Sequence, residues 1–172
     1  MDNLIDRIAQ AAQDREDAKV IESQKKAEDF FSCIEKIKAL GGRIAKMWDI
    51  AQALLNNGFG IGDRKSYWNG SYNELETEGW FHRLGFYVDY GRVTGFGVCG
   101  GGVYLESVFA NRDGEVYINM NKAHYNTYSN TYATVWDYPH YREVMHYIID
   151  NFDDYERKFY DYAERVADKK AV

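Results

Sequence analysis

The sequence predicts an α+β fold in which helices at both ends of the chain flank an antiparallel sheet. Apolar residues recur with helical spacing over residues 3–57, and the helical spacing returns over residues 137–167. Between them, apolar and polar residues alternate in short segments separated by tight turns, which is typical of an antiparallel meander. Because the apolar face of a sheet needs a cover, we expect the long C-terminal helix to pack on it.

The first predicted helix covers residues 3–40, with Asn3 as its N-cap. It contains neither Gly nor Pro, so helix propensity favours continuity through the polar stretch 13–19. At 1.5 Å per residue it would be about 55 Å long, which is more than a small domain can cover. We therefore expect its first half to project, to pair with a second copy in a homodimer, or to lie on a partner.

A second helix is predicted from about residue 43 to 57, so that residues 1–58 form a helical hairpin and residues 59–172 a sheet with its helix. Gly41 and Gly42 are expected to end the first helix with a left-handed cap. The glycine-rich residues 58–73 are interpreted as loop, and a short strand near Tyr67 and Trp68 is the alternative.

Four strands follow from the alternation, and Thr131–Trp136 is a candidate fifth. The turn at Asn111–Gly114 is a strong hairpin signal because Asp-Gly tolerates positive φ. The four strands are predicted at residues 80–90, 93–98, 103–110 and 115–120.

Composition excludes several classes of protein. The 172 residues carry a net charge of −6, whereas direct nucleic-acid binders gain affinity from clustered Lys and Arg. No apolar run is long enough to span a membrane, and the N-terminus lacks the pattern of a secretory signal. Cys33 and Cys99, the two cysteines, are therefore expected to be free thiols of a cytoplasmic protein.

Catalytic motifs are weak. The GxGxxG match at residues 95–100 lies between strands, whereas a dinucleotide site needs a helix after it. The histidines lack zinc-motif spacing, and Cys33 belongs to an apolar stripe, so we predict a non-catalytic protein with no cofactor and no metal site. The alternative is an enzyme that uses Cys99 as nucleophile with His82 or His124 as base.

A polar-aromatic segment precedes the last helix. Tyrosine offers a large contact area at low entropic cost, and Asn adapts its hydrogen bonds, as in antibody loops. The segment is therefore predicted to bind a partner, although tyrosines that pave the outer face of a sheet would show the same pattern. The candidate residues are Tyr125, Asn126, Tyr128, Asn130 and Tyr132.

The last helix carries the most acidic stretch of the chain. Its heptad stripe is expected to face inward, which leaves acidic side chains on the flanks and the outer face. Arg157 and Lys158 can neutralise only part of them through i,i+3 and i,i+4 pairs. The predicted partner-binding acids are Asp150, Asp153, Asp154 and Glu156, and an ordinary solvated helix face is the alternative.

These observations favour a protein-binding module over an enzyme. An acidic surface complements a basic one, and nucleic-acid-handling enzymes such as nucleases carry basic grooves. In size and charge alone the chain resembles phage-encoded inhibitors of bacterial nucleases, anti-CRISPR proteins included, which implies a role in phage counter-defence. A self-associating structural subunit, joined through residues 3–40, is a further alternative.

Overall fold

The computed structural model describes residues 2–67, 70–74, 84–98, 107–119 and 139–169. Two helices, α1 (Asp2–Ala39) and α2 (Gly41–Asn56), precede a six-stranded sheet, and α3 (Pro139–Asp168) follows it. The α+β class, the antiparallel sheet and the helices at both ends of the chain are thus confirmed. Within the described part of the chain, no helix combines the length and the apolar character needed to cross a bilayer.

Each strand pairs antiparallel with the next along the chain, so the spatial order equals the sequence order. The strands are β1 (Asp63–Tyr67), β2 (Gly70–Glu74), β3 (Gly85–Asp89), β4 (Arg92–Val98), β5 (Ser107–Ala110) and β6 (Val116–Asn119). The four strands predicted from alternation correspond to β3 to β6. The predicted fifth strand, residues 131–136, lies outside the described residues.

With the hairpin of β1 and β2, the sheet has six strands within the described residues, instead of the expected four or five. Its residues were mostly interpreted as loop, because DRKSY and GSYNE lack the alternation of apolar and polar residues. Backbone pairing places these strands at the edge of the meander, and such pairing leaves little trace in the side-chain pattern.

α3 packs on the sheet through aromatic rings, as predicted. The ring of Phe86 in β3 lies 5.5 Å from that of Phe159, and the ring of Phe96 in β4 lies 5.8 Å from that of Phe152. The predicted inward stripe Ile148, Phe152, Tyr155 and Phe159 is at most 6% exposed. Side chains of both predicted segments, 1–58 and 59–172, join one buried cluster.

The junction of α1 and α2 is tighter than expected. Only Leu40 separates the helices, and α1 begins at Asp2, so Asn3 lies inside it. The predicted left-handed cap is wrong, because neither Gly41 nor Gly42 has a positive φ. Gly41 is needed for a different reason: a Cβ there would clash with the carbonyl oxygen of Asp113 in the turn between β5 and β6.

Residues of that turn fix its shape and hold it against the helices. The side-chain oxygen of Asn111 accepts hydrogen bonds from the backbone N–H groups of Asp113 and Glu115, at 3.0 and 2.9 Å. Gly114 adopts a φ of 83°, as the predicted Asp-Gly turn requires. Arg112 donates to both carboxylate oxygens of Asp49 in α2, at 2.9 and 2.6 Å. The turn therefore fastens the end of the sheet to the helical hairpin.

Candidate functional site

The first part of α1 is uncovered, although the helix is continuous over 38 residues as predicted. Every side chain of residues 3–22 is exposed, and we call this segment the exposed half of α1. It includes Leu4, Ile5 and Ile8, which are 53%, 63% and 61% exposed. Apolar side chains on neighbouring turns of one helix form a patch that this chain leaves open to water.

The exposed half continues the face that is buried further along α1. On an ideal helix, Leu4 lies within about 20° of Cys33, and Ile8 lies within about 20° of Ile37. Cys33 and Ile37 are fully buried. The core-facing stripe of α1 therefore runs on past the part of the helix that the rest of the chain covers.

Short-range polar contacts explain why the polar middle of α1 stays helical. Gln10 donates to Asp14 and Gln13 donates to Asp17, each at 2.8 Å. Such pairs, four residues apart, stabilise a helix by about 0.2–0.5 kcal/mol each. Residues 13–19 therefore remain helical without burial, as the absence of Gly and Pro predicts.

Two of the four predicted partner-binding acids pair with Arg43 of α2. Arg43 donates to Asp153 at 2.6 Å and to Glu156 at 2.7 and 3.0 Å. Its guanidinium also lies 4.7 Å from the ring centre of Phe152. The hydrogen bonds with Glu156 and then Asp153 raise the pKa of Arg43 above its ordinary value. These two carboxylates thus link α3 to α2, with Glu156 partly buried and Asp153 still 87% exposed.

The other two predicted acids differ from each other. Asp154 pairs with Arg157 at 2.6 Å and with Lys158 at 3.0 Å, as the helical spacing predicts. The hydrogen bond from Lys158 is the main cause that lowers the pKa of Asp154. Asp150 is exposed and forms no ion pair with any residue of the described ranges. Of the four predicted acids, Asp150 is therefore the one without an ion-pair partner in the described ranges.

The remaining sequence-predicted sites lie outside the described residues, so those hypotheses stay predictions. They comprise the tyrosine-rich segment and the alternative catalytic group. The residues concerned are Tyr125, Asn126, Tyr128, Asn130 and Tyr132, together with Cys99, His82 and His124.

A side-chain cluster that the sequence analysis did not predict joins α1 to α3. Asp29 and Cys33 stand one turn apart on α1, and His146 faces them from α3. The Nε2 atom of His146 lies 2.8 and 3.0 Å from the carboxylate oxygens of Asp29. The sulfur of Cys33 lies 3.4 Å from the same Nε2 and 3.7 Å from Nδ1. We call these residues the Asp29–Cys33–His146 cluster.

The arrangement of the cluster does not activate the thiol. Burial, and then the charge of Asp29, raise the pKa of Cys33 to about 11, so the thiol is protonated at neutral pH. In a nucleophilic triad the two imidazole nitrogens serve different partners, whereas here Asp29 and Cys33 both approach Nε2. A carboxylate, a thiol and an imidazole thus converge in a geometry unlike that of a cysteine hydrolase.

Sequence spacing could have indicated only part of this cluster. Asp29 and Cys33 are four residues apart, which places them on one face of a helix. His146 lies 113 residues beyond Cys33, and only the packing of α3 on α1 brings it there. Cys33 was correctly predicted to be buried, but its polar neighbours were not foreseen.

Comparison with known proteins adds nothing to these observations. No family model matches the chain, and no curated protein or solved structure is significantly similar to it. The function has therefore to be inferred from the exposure, charge and chemistry of its own side chains.

Proposed function

We propose that the chain is a non-catalytic protein-binding module and that the exposed half of α1 is its docking element. The observation that supports this is the uncovered apolar patch of Leu4, Ile5 and Ile8, each more than half exposed. Fully burying such a side chain is worth about 1.5–3 kcal/mol, which a partner can recover. Because the patch continues the core-facing side of α1, it offers a partner the kind of surface that packs inside a domain.

The partner is proposed to be a basic protein. Residues 3–22 carry five acidic and three basic side chains, hence a net charge of −2, and the whole chain carries −6. Two copies of this helix would place charges of the same sign side by side, which disfavours self-association through it. An apolar groove flanked by Lys and Arg complements both the patch and its charge.

The specific form of the proposal is a cytoplasmic inhibitor that occludes the basic groove of a nucleic-acid-handling enzyme. Grooves that bind nucleic acid are lined by Lys and Arg, and an acidic protein competes for the same charges. A nuclease of bacterial defence is such an enzyme, and an inhibitor of it would act in the manner of anti-CRISPR proteins in phage counter-defence. The exposed carboxylate of Asp150 supplies a second point of attraction on α3.

The docking element is tested by placing charges in the patch. In the double variant Leu4→Glu with Ile8→Glu, an immobilised chain should lose a basic protein that wild type captures from bacterial lysate. With that protein purified, its Kd should weaken about 100-fold, as at interface hot spots. Phe59→Glu with Tyr90→Glu is the matched control, because it adds the same two charges at apolar side chains that are 45% and 98% exposed and lie outside α1.

Two outcomes would contradict this proposal. Equal capture by wild type and the double variant would show that the patch binds nothing. A wild-type dimer in sedimentation equilibrium that the double variant abolishes would identify a second copy of the chain as the occupant, in place of a basic partner.

The contribution of charge is tested at Asp150. Asp150→Lys should slow association with the captured partner several-fold at low salt, and added salt should reduce the difference. Glu35→Lys is the control, since it changes the net charge equally at another exposed position. Reversal at Asp153 is less informative, because it also removes a contact of Arg43. An unchanged association rate for Asp150→Lys would overturn the role of this carboxylate.

A separate assay tests whether the partner is a nuclease. Wild-type chain in excess should inhibit cleavage of a target duplex by a guide-loaded CRISPR nuclease, and the double variant should not. If the wild-type chain inhibits none of the nucleases in a panel, the inhibitor proposal is wrong. The capture experiment tests the docking element separately.

A further inference from the structure

We propose that Asp29, Cys33 and His146 form a binding site for a divalent transition metal of the zinc type. Their candidate ligand atoms, a carboxylate oxygen, a thiol sulfur and an imidazole nitrogen, all lie within 4.8 Å of one another. Zinc accepts all three ligand types, and sites with three protein ligands keep a fourth position for water. The site lies in the packed part of α1 and does not depend on the proposed docking role.

One of the ligand distances already matches a tetrahedral centre, and the other two ligands have to adjust by small movements. With ordinary zinc bond lengths, the sulfur-to-nitrogen edge of the tetrahedron is about 3.5 Å and the nitrogen-to-oxygen edge about 3.3 Å. The sulfur of Cys33 lies 3.4 Å from Nε2 of His146, and the nearer oxygen of Asp29 lies 2.8 Å from the same nitrogen. The second pair has to open by about half an ångström, and because the sulfur also lies 3.7 Å from Nδ1, beside the ring, the imidazole has to turn until Nε2 points between the sulfur and Asp29.

The surrounding structure positions the ligands before any metal binds. Asp29 and Cys33 are one helical turn apart on α1, and α3 brings His146 against them. Cys33 is fully buried, whereas Asp29 and His146 are 38% and 41% exposed. The sulfur would thus form the inner wall of the site, and the side of Asp29 and His146 would admit the ion and a water ligand.

Charge and protons balance for a divalent ion. On binding, the Cys33 thiol releases its proton to solvent as the sulfur–metal bond forms. Nε2 of His146 gives up the proton that it donates to Asp29, so the neutral ring coordinates through Nε2 with its one proton on Nδ1, and the metal replaces the hydrogen bond between Nε2 and Asp29. The thiolate and the carboxylate then supply two negative charges against the two positive charges of the ion.

The test is a titration of the full, metal-free chain with Co²⁺, a spectroscopic substitute for zinc. Wild type should bind one Co²⁺ per chain and develop the near-ultraviolet charge-transfer band of a cobalt–thiolate bond. Cys33→Ser should lose the band, whereas Cys99→Ser, the same change at the other cysteine, should keep it. No band with wild type at millimolar Co²⁺, or a band that persists in Cys33→Ser, would overturn the proposal.

A second variant keeps the test decisive if Cys33→Ser, a change at a buried position, does not fold. His146 is partly exposed, so His146→Gln should fold, as circular dichroism will show, yet bind Co²⁺ at least about ten-fold more weakly. Zn²⁺ should raise the melting temperature of wild type, because binding to the folded state alone stabilises it, but not that of His146→Gln. Equal cobalt affinity and an equal zinc-induced shift in the two proteins would contradict the site.

Discussion

The two halves of α1 have the same backbone and opposite surroundings. Residues 3–22 are exposed throughout, whereas Phe30, Cys33 and Ile37 of the later half have no exposed surface. Both halves carry apolar residues with helical spacing, and the two stripes lie on the same side of the helix. Amphipathic spacing thus indicates which side of a helix is suited to burial, but the elements packed against it determine how much of that side is covered.

The cover over the later half comes from distant parts of the chain. His146 of α3 contacts Cys33, and Lys38 pairs with Glu115 of the β5–β6 turn at 3.5 Å. A Cβ at Gly114 would lie 2.9 Å from the carbonyl oxygen of Ile37, so the turn touches the end of α1 closely. Nothing comparable touches the exposed half within the described residues.

The largest predicted effect comes from truncating the buried half. Phe30→Ala should lower the free energy of unfolding by about 3–5 kcal/mol, because it removes a fully buried ring and leaves a cavity. Leu4→Ala should change it by less than about 0.5 kcal/mol. Urea unfolding followed by circular dichroism measures both. A loss above about 1 kcal/mol for Leu4→Ala would show that the exposed half contributes to the core.

A medium effect is predicted at the turn that meets the end of α1. Gly91 and Gly114 both have positive φ, 74° and 83°, so Ala at either position should cost about 1 kcal/mol of backbone strain. At Gly114 the new Cβ would also press against the backbone of Ile37 and Lys38, whereas at Gly91 it meets nothing within 4 Å. Gly114→Ala should therefore lower the free energy of unfolding, measured with urea, by at least about 1 kcal/mol more than Gly91→Ala does. Equal losses would mean that this turn does not brace α1.

The smallest effect is expected from removing the exposed segment itself. Deletion of residues 1–18 should leave the melting temperature within a few degrees of wild type, because it exposes no buried side chain. Differential scanning calorimetry gives the comparison. A fall of more than about 10 °C, beyond the roughly 2–4 °C per kcal/mol of a domain this size, would place the segment in the stabilising core.

The sequence predicted those elements whose signal is local. Both N-terminal helices, the strands β3 to β6, the Asp-Gly turn and the inward stripe of α3 all follow from spacing within a few residues of one another. The β1–β2 hairpin was not predicted by the same reasoning because its sequences, DRKSY and GSYNE, lack an alternation of apolar and polar residues. For the site, spacing along α3 predicted the partners of Asp154, but not that Arg43 pairs with Asp153 and Glu156 from 110 and 113 residues away.

By itself, the sequence determined the α+β class, the length of α1 and the side of each helix suited to burial, because periodicity acts on neighbouring residues of one element. Only the tertiary structure decided which half of α1 is covered, which acids of α3 pair with α2 and that His146 meets Cys33 and Asp29. Those outcomes depend on pairs of residues 77 to 117 positions apart, whose proximity is set by how helices and sheet pack together.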